Sequence, residues 1–188
     1  DLRKYAQSLL ERDPKRTAAA EVLDLMAYLV ACDFVGAEAK LETIRFNFRG
    51  TEDETYVNEA IALAGTHISF AFGRFQELDQ AAEAFLNNHN TRPKLEQGEY
   101  LDVLRLIAQK SLILDEFAKL AMIEKEMSLY EVEEQSTNLL YLINSVRSMY
   151  LMSRGDFIKA STLARMDIEI AKQNQYSGLM APLDSMYV

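Results

Sequence analysis

The stretch Gly73-Arg74-Phe75-Gln76-Glu77-Leu78 decides how this chain is read. A Gly, a polar residue, an aromatic and then an apolar residue three on is a pattern that ends one helix and starts another. Gly takes the positive φ that closes a helix, and the next residue can cap the second helix. Three other segments share its looser form, a polar or small pair followed by Phe: Cys32-Asp33-Phe34, Asp115-Glu116-Phe117 and Gly155-Asp156-Phe157. Their Phe residues stand 41, 42 and 40 positions apart in chain order. Nine Phe in 188 residues would rarely fall on so even a comb by chance.

The residues after each Phe repeat as well. Offsets of three, seven and ten give Ala37, Leu41 and Ile44; Leu78, Ala82 and Phe85; Leu120, Glu124 and Met127; Ala160, Ala164 and Asp167. That spacing is one stripe of an α-helix. With the Phe residues included, fourteen of the sixteen positions are apolar, against about eight expected from composition. Glu124 and Asp167 are the exceptions.

Upstream of each Phe lies a long Leu/Ala/Ile-rich stretch without Pro: 17–31, 51–72, 95–114 and 131–153. Thr51 with Glu54, and Ser128 with Glu131, read as capping boxes, in which hydroxyl and carboxylate each satisfy a free backbone N–H. Asp33 and Asp156 read as caps of the second helices, Gly73 and Gly155 as the residues that end the first.

The expected fold is therefore all-α: a superhelical solenoid of antiparallel helix pairs with a period near forty and about nine or ten helices. Residues 1–14 form the end of a preceding unit. Helix pairs occupy 15–48, 51–90, 95–128 and 129–174, and 175–188 open a further unit. The one long connection runs from Asn87 to Glu96, with Arg92-Pro93 forcing an extended backbone. Pro182 fits either a first helical turn or a kink. Asp1 in place of Met, and a pattern open at both ends, give the expectation of a segment from a longer solenoid.

Composition narrows the function classes. Nearly half the residues are apolar, and Gly and Pro are scarce, which excludes disorder and leaves little turn chemistry for an all-β fold. A net charge of −9 argues against direct nucleic-acid contact and against anionic lipid. No run approaches the ~20 apolar residues of a membrane span. The single Cys32 excludes an internal disulfide framework and fits the cytoplasm.

Little points to catalysis. His67 and His89 are the only histidines and have no Cys at ligand spacing, so no metal site is expected. There is no nucleophile elbow and no phosphate loop. Glu131, Glu133 and Glu134 crowd a helix start, where the helix dipole accounts for them. No enzyme activity and no cofactor are expected. Cys32, at a helix–helix turn, reads as an inert small residue rather than a reactive thiolate. The methionines Met122, Met127, Met149, Met152 and Met166 read as core filler before they read as an adaptable binding surface.

The turn segments around Gly73 and Gly155 resemble the tetratricopeptide repeat. Thr66, Ala108 and Ser148, seven before the turn, suit its close helix contact, whereas Leu25 is larger. The aromatic usual four before the turn is Tyr28 in the first unit, but Ser69, Ser111 and Leu151 in the others. The longer period is similar to the sensor solenoid of MalT-like, LuxR-family transcriptional regulators, and the tail from Gln175 to Asp184 resembles that family too. In it an ATPase module lies upstream and a helix-turn-helix module downstream. The resemblance implies a segment that senses a small-molecule inducer or a protein or peptide partner in a concave groove lined by first helices. The faces that would point there carry Val22 and Met26, Leu63 and His67, Arg105 and Gln109, Ser145 and Met149. His67, Arg105, Gln109, Ser145 and Met149 are the candidate ligand-binding residues. Polar contacts between neighbouring helices would account for the same side chains. A tetratricopeptide-like adaptor unconnected with transcription is the alternative, and self-association stays open. On the repeat reading the four Phe rings pack equivalently, and Phe75→Ala would cost about 3–5 kcal/mol.

Overall fold

Each of the four segments around the comb Phe residues closes in the same way. The structure, a computed structural model, describes residues 2–12, 17–89, 97–132 and 137–173. Cys32, Gly73, Asp115 and Gly155 have φ of 55, 67, 58 and 78°. The N–H of each donates to the carbonyl three residues back: Leu29 at 2.9 Å, Phe70 at 3.0 Å, Leu112 at 3.3 Å and Met152 at 3.0 Å. The next N–H donates five back: Asp33 to Tyr28 at 3.0 Å, Arg74 to Ser69 at 2.8 Å, Glu116 to Ser111 at 2.8 Å, Asp156 to Leu151 at 2.9 Å. These paired bonds satisfy the carbonyls that a helix C-terminus leaves open. Asp33, Arg74, Glu116 and Asp156 then accept the first backbone bond of the following helix. One residue thus ends one helix and begins the next.

The elements that result, among the described residues, are α1 (Leu2–Arg12), α2 (Thr17–Val30), α3 (Phe34–Phe48), α4 (Glu54–Ala71), α5 (Phe75–His89), α6 (Gln97–Ile113), α7 (Phe117–Ser128), α8 (Thr137–Ser153) and α9 (Phe157–Gln173). A short 3-10 turn spans Leu129–Val132, and there is no strand among the described residues. Every comb Phe is the first residue of a helix. No helix of the described residues is long and apolar enough to cross a membrane.

The chain divides into two compact units, Asp1–Arg92 and Pro93–Val188. In the first, α1 packs on α2, α2 on α3 and α4, α3 on α4, and α4 on α5. In the second, α6 packs on α7 and α8, α7 on α8, and α8 on α9.

The core of the first unit is a direct consequence of the stripe. Ala37, Leu41, Ile44, Leu78, Ala82 and Phe85 are all buried. Around α2, α3 and α4, Ala37, Leu41 and Ile44 join Val22, Leu25, Phe48, Val57, Ile61 and Ile68 in one cluster. Each large side chain so buried contributes about 1.5–3 kcal/mol by transfer from water. A charge cluster ties the first three helices. Lys40 Nζ lies 2.5 Å from Glu21 and 2.8 Å from Asp24, and Arg3 reaches Asp24 at 3.4 Å. The Arg3 guanidinium also stacks 4.1 Å above the Tyr28 ring. Burial works to lower the Lys40 pKa, but the hydrogen bonds and charges of Asp24 and Glu21 outweigh it and hold it above the ordinary value.

In the second unit Leu120, Met127, Ala160, Ala164 and Asp167 are buried at the stripe positions. Ser148 on α8 sends its hydroxyl to the Ala160 carbonyl of α9 at 3.1 Å. This is the close helix contact that a small residue seven before the turn permits. Leu25, Thr66 and Ala108, at the same place in the other pairs, are also buried.

Several expectations need correction. The comb rings are not equivalent: Phe34 and Phe75 are half-buried, whereas Phe117 is 44% and Phe157 65% exposed. A residue that opens a helix sits at the turn edge, and core burial begins three residues later. Phe75 does tilt against Phe70, with ring centroids 6.5 Å apart, yet its half-burial lowers the expected cost of truncation.

The capping box at Thr51 does not form as read, and the Glu131 side chain of the second box lies outside the described residues. The Thr51 hydroxyl donates back to Phe48 O at 2.8 Å, and Glu54 accepts from Gly50 N at 2.9 Å. Asp53 stands at the cap of α4 without a side-chain bond. The Ser128 hydroxyl donates to Lys125 O at 2.7 Å, at the end of α7. The Asp caps do form: Asp33 accepts from Gly36 N at 2.9 Å, and Asp156 from Lys159 N at 3.3 Å. His89, read as a loop residue, is the last residue of α5. Glu133 and Glu134, Arg92-Pro93, and the tail from Gln175 to Val188 with Pro182 lie outside the described residues.

Candidate functional site

In the first unit, small side chains on two facing helices leave space. Ala62 and Gly65 on α4 face Ala81 and Ala84 on α5, and a Cβ built on Gly65 would stand 3.3 Å from that of Ala81. Residues three and four apart on α3, α4 and α5 share one side of each helix. Together they line an open groove of about 480 Å³. Its floor is mostly apolar, with Leu41, Ile61 and Ile68 beside Ser69, and its rim carries Glu38, Glu42, Arg45, Asn58, Glu77 and Gln80.

Arg74 closes one end. Its guanidinium pairs with Glu38 of α3, lies 3.7 Å from Glu77 of α5 and stacks 4.7 Å above the Phe72 ring. Arg45 pairs with Glu42 along α3 at 2.6 Å. Both rim cations are thus held by rim carboxylates, and the groove presents paired charges around an apolar strip. Such a surface suits a partner that buries a few apolar side chains and exchanges polar contacts at the edge.

The residues expected to line a concave face are spread over both units. His67 is half-buried on α4 in the first unit; the other four belong to the second. Arg105 and Gln109 are brought together: Arg105 Nη1 donates to Gln109 Oε1 at 3.1 Å. The same guanidinium donates from Nη2 to Asp102 Oδ1 at 2.7 Å and from Nε at 2.9 Å. Ser145 and Met149 are buried, and so are Val22 and Leu63; Met26 is half-buried. Arg105 and Gln109 serve one another and Asp102, as polar contacts within the scaffold would.

The groove itself was not anticipated, because it draws on the second helices as well as the first. A signal was present: Ala62 and Gly65 on one helix, and Ala81 and Ala84 on the next, each three apart. Of the methionines, Met127 and Met149 fill the core, and Met122 and Met166 are exposed.

The two acidic exceptions in the stripe are both answered from α8. Glu124 on α7 accepts from Arg147 Nε at 3.4 Å, and Asp167 on α9 accepts from Asn144 Nδ2 at 2.9 Å. At the face between α6 and α7, the Tyr100 hydroxyl donates to Glu126, and its ring lies 6.1 Å from that of Tyr130. Burial, then the Glu126 hydrogen bond, raises the Tyr100 pKa. Cys32 is exposed in its turn, and no group of three or more His, Cys, Asp or Glu among the described residues could hold a metal. Comparisons with protein-family models, curated proteins and solved structures find no match to this chain.

Proposed function

We propose that this chain is a non-catalytic binding scaffold. In this reading it is a tetratricopeptide-like solenoid that serves as the sensor or scaffold segment of a cytoplasmic, LuxR-family transcriptional regulator. The observation that supports the scaffold is the turn. One hydrogen-bonded form recurs four times at a spacing near forty, each followed by a largely buried stripe. Stacked helix pairs of that kind present extended surfaces rather than a closed catalytic pocket. DNA contact belongs to another module, since the net charge of −9 opposes it here. The regulator reading is tested by the coding sequence on either side of this segment. It calls for a phosphate-loop ATPase before it and a helix-turn-helix after it; neither being present would sink it.

The adaptor reading is favoured by the groove over α4, whose apolar floor and paired rim fit a short amphipathic peptide. Selection from a displayed peptide library tests it. Ala84 lines the groove and is exposed, so Ala84→Trp would fill the space without disturbing the core. Selected peptides should then bind at least about tenfold more weakly, a loss of roughly 1.4 kcal/mol. Unchanged binding would place the peptide elsewhere.

A further inference from the structure

Ten residues after each comb Phe stand Ile44, Phe85, Met127 and Asp167, and all four are buried to within 1% of full exclusion from solvent. Three are large apolar side chains. The fourth is a carboxylate at a core position on α9. Its described hydrogen bond is the one from Asn144, itself buried on α8.

Among the described side chains no cation answers it; that of Lys172 on α9 lies outside them. The described helix packed along α9 is α8, whose titratable or charged side chains are Tyr141, Arg147 and Tyr150. Arg147 is turned to Glu124 of α7. On α9, Arg165 and Glu169 are exposed, and Lys159 pairs with Asp156 at 2.7 Å beside the turn. A lone buried charge facing a neutral amide is costly, whereas the neutral acid is not. Protonated, Asp167 can donate its O–H to the Asn144 side-chain oxygen once that amide rotates.

We propose that the α8–α9 contact is a proton-sensitive joint: it closes firmly when Asp167 is protonated and loosens when Asp167 ionises. Burial pushes the Asp167 carboxyl from its ordinary 3.8 up to about 7, and the Asn144 hydrogen bond pulls it back only in part. The packed helix pair therefore holds this proton more tightly than an opened one. Its stability is greatest at low pH, declines as pH rises from about 4 to about 7, and is level above that. The closing equilibrium falls by up to about tenfold per pH unit in that window.

The test is amide hydrogen exchange of the full chain at pH 5.5 and pH 8, corrected for intrinsic exchange rates, together with carboxyl carbon NMR of Asp167. Protection of α9 should fall by about tenfold or more at the higher pH relative to α4, and the carboxyl should titrate near 7. Asp167→Asn should leave α9 equally protected at both values. If that variant does not fold, Asp167→Met, which copies Met127 at the equivalent position, takes its place. The joint is refuted by wild-type α9 protection that ignores pH, by a pH dependence that survives the substitution, or by a carboxyl that titrates near 4.

Discussion

The second helices of the two units use the same positions differently. In the first unit all six stripe residues of α3 and α5 are apolar and buried, from Ala37 to Phe85. In the second, α7 and α9 each carry one acid in the stripe, Glu124 and Asp167, and α8 supplies a partner for both, Arg147 and Asn144. The turns are alike in both units. What the turn imposes is a place against the neighbouring helix, not a chemistry. An apolar residue satisfies that place by packing, and a polar one satisfies it only where the facing helix offers a hydrogen bond.

The sharpest way to break this comparison is to set Phe85 against Phe157. Phe85 is fully buried, and Phe85→Ala should cost about 3–5 kcal/mol through lost transfer energy and a cavity. Phe157 is mostly exposed, and Phe157→Ala should cost less than about 1 kcal/mol. Urea unfolding midpoints at equal slope measure both. Equal losses would mean that the comb, not the stripe, carries the core.

Backbone effects come next. Gly73 has a positive φ with nothing within 4 Å of a built Cβ, so Gly73→Ala should cost about 1–2 kcal/mol from left-handed backbone strain alone. The converse is a gain. Cys32→Gly and Asp115→Gly should each stabilise the chain by roughly 0.5–1 kcal/mol, because both non-Gly residues already occupy that conformation. A loss in either would show that the native side chain supplies a contact outweighing the strain.

The smallest effect separates the two acids. Glu124 is half-buried with Arg147 at 3.4 Å, and Glu124→Ala should cost about 0.2–1 kcal/mol, falling with added salt. On the exposed side of α5, Glu77→Ala should change stability by less than about 0.5 kcal/mol.

Much of the fold was legible because helix period and turn chemistry are local. The helix starts at Phe34, Phe75, Phe117 and Phe157 follow from residue spacing alone. The Gly73 and Gly155 turns follow from the one residue type that enters positive φ freely. Cys32 and Asp115 do so against their own preference, within the same pair of backbone hydrogen bonds. The capping box at Thr51 does not form because its hydroxyl finds the Phe48 carbonyl in the preceding turn, a competition a motif does not reveal. The site was less legible. Ser145 and Met149 are buried on α8, and which helices pack across α8 depends on contacts between stretches far apart in sequence. The groove over α4 depends on side-chain size at positions from three helices, which no single stretch displays.

The claim at the centre of this account is that four turns share one backbone geometry, two of them without Gly. The direct test in solution is the three-bond HN–Hα coupling and Cα chemical shift at Cys32, Gly73, Asp115 and Gly155. The account predicts positive φ at all four, near 55, 67, 58 and 78°, with Cys32 and Asp115 reporting the left-handed region as clearly as the glycines. Negative φ at Cys32 and Asp115 would contradict it, leaving two ordinary glycine turns in place of a shared frame.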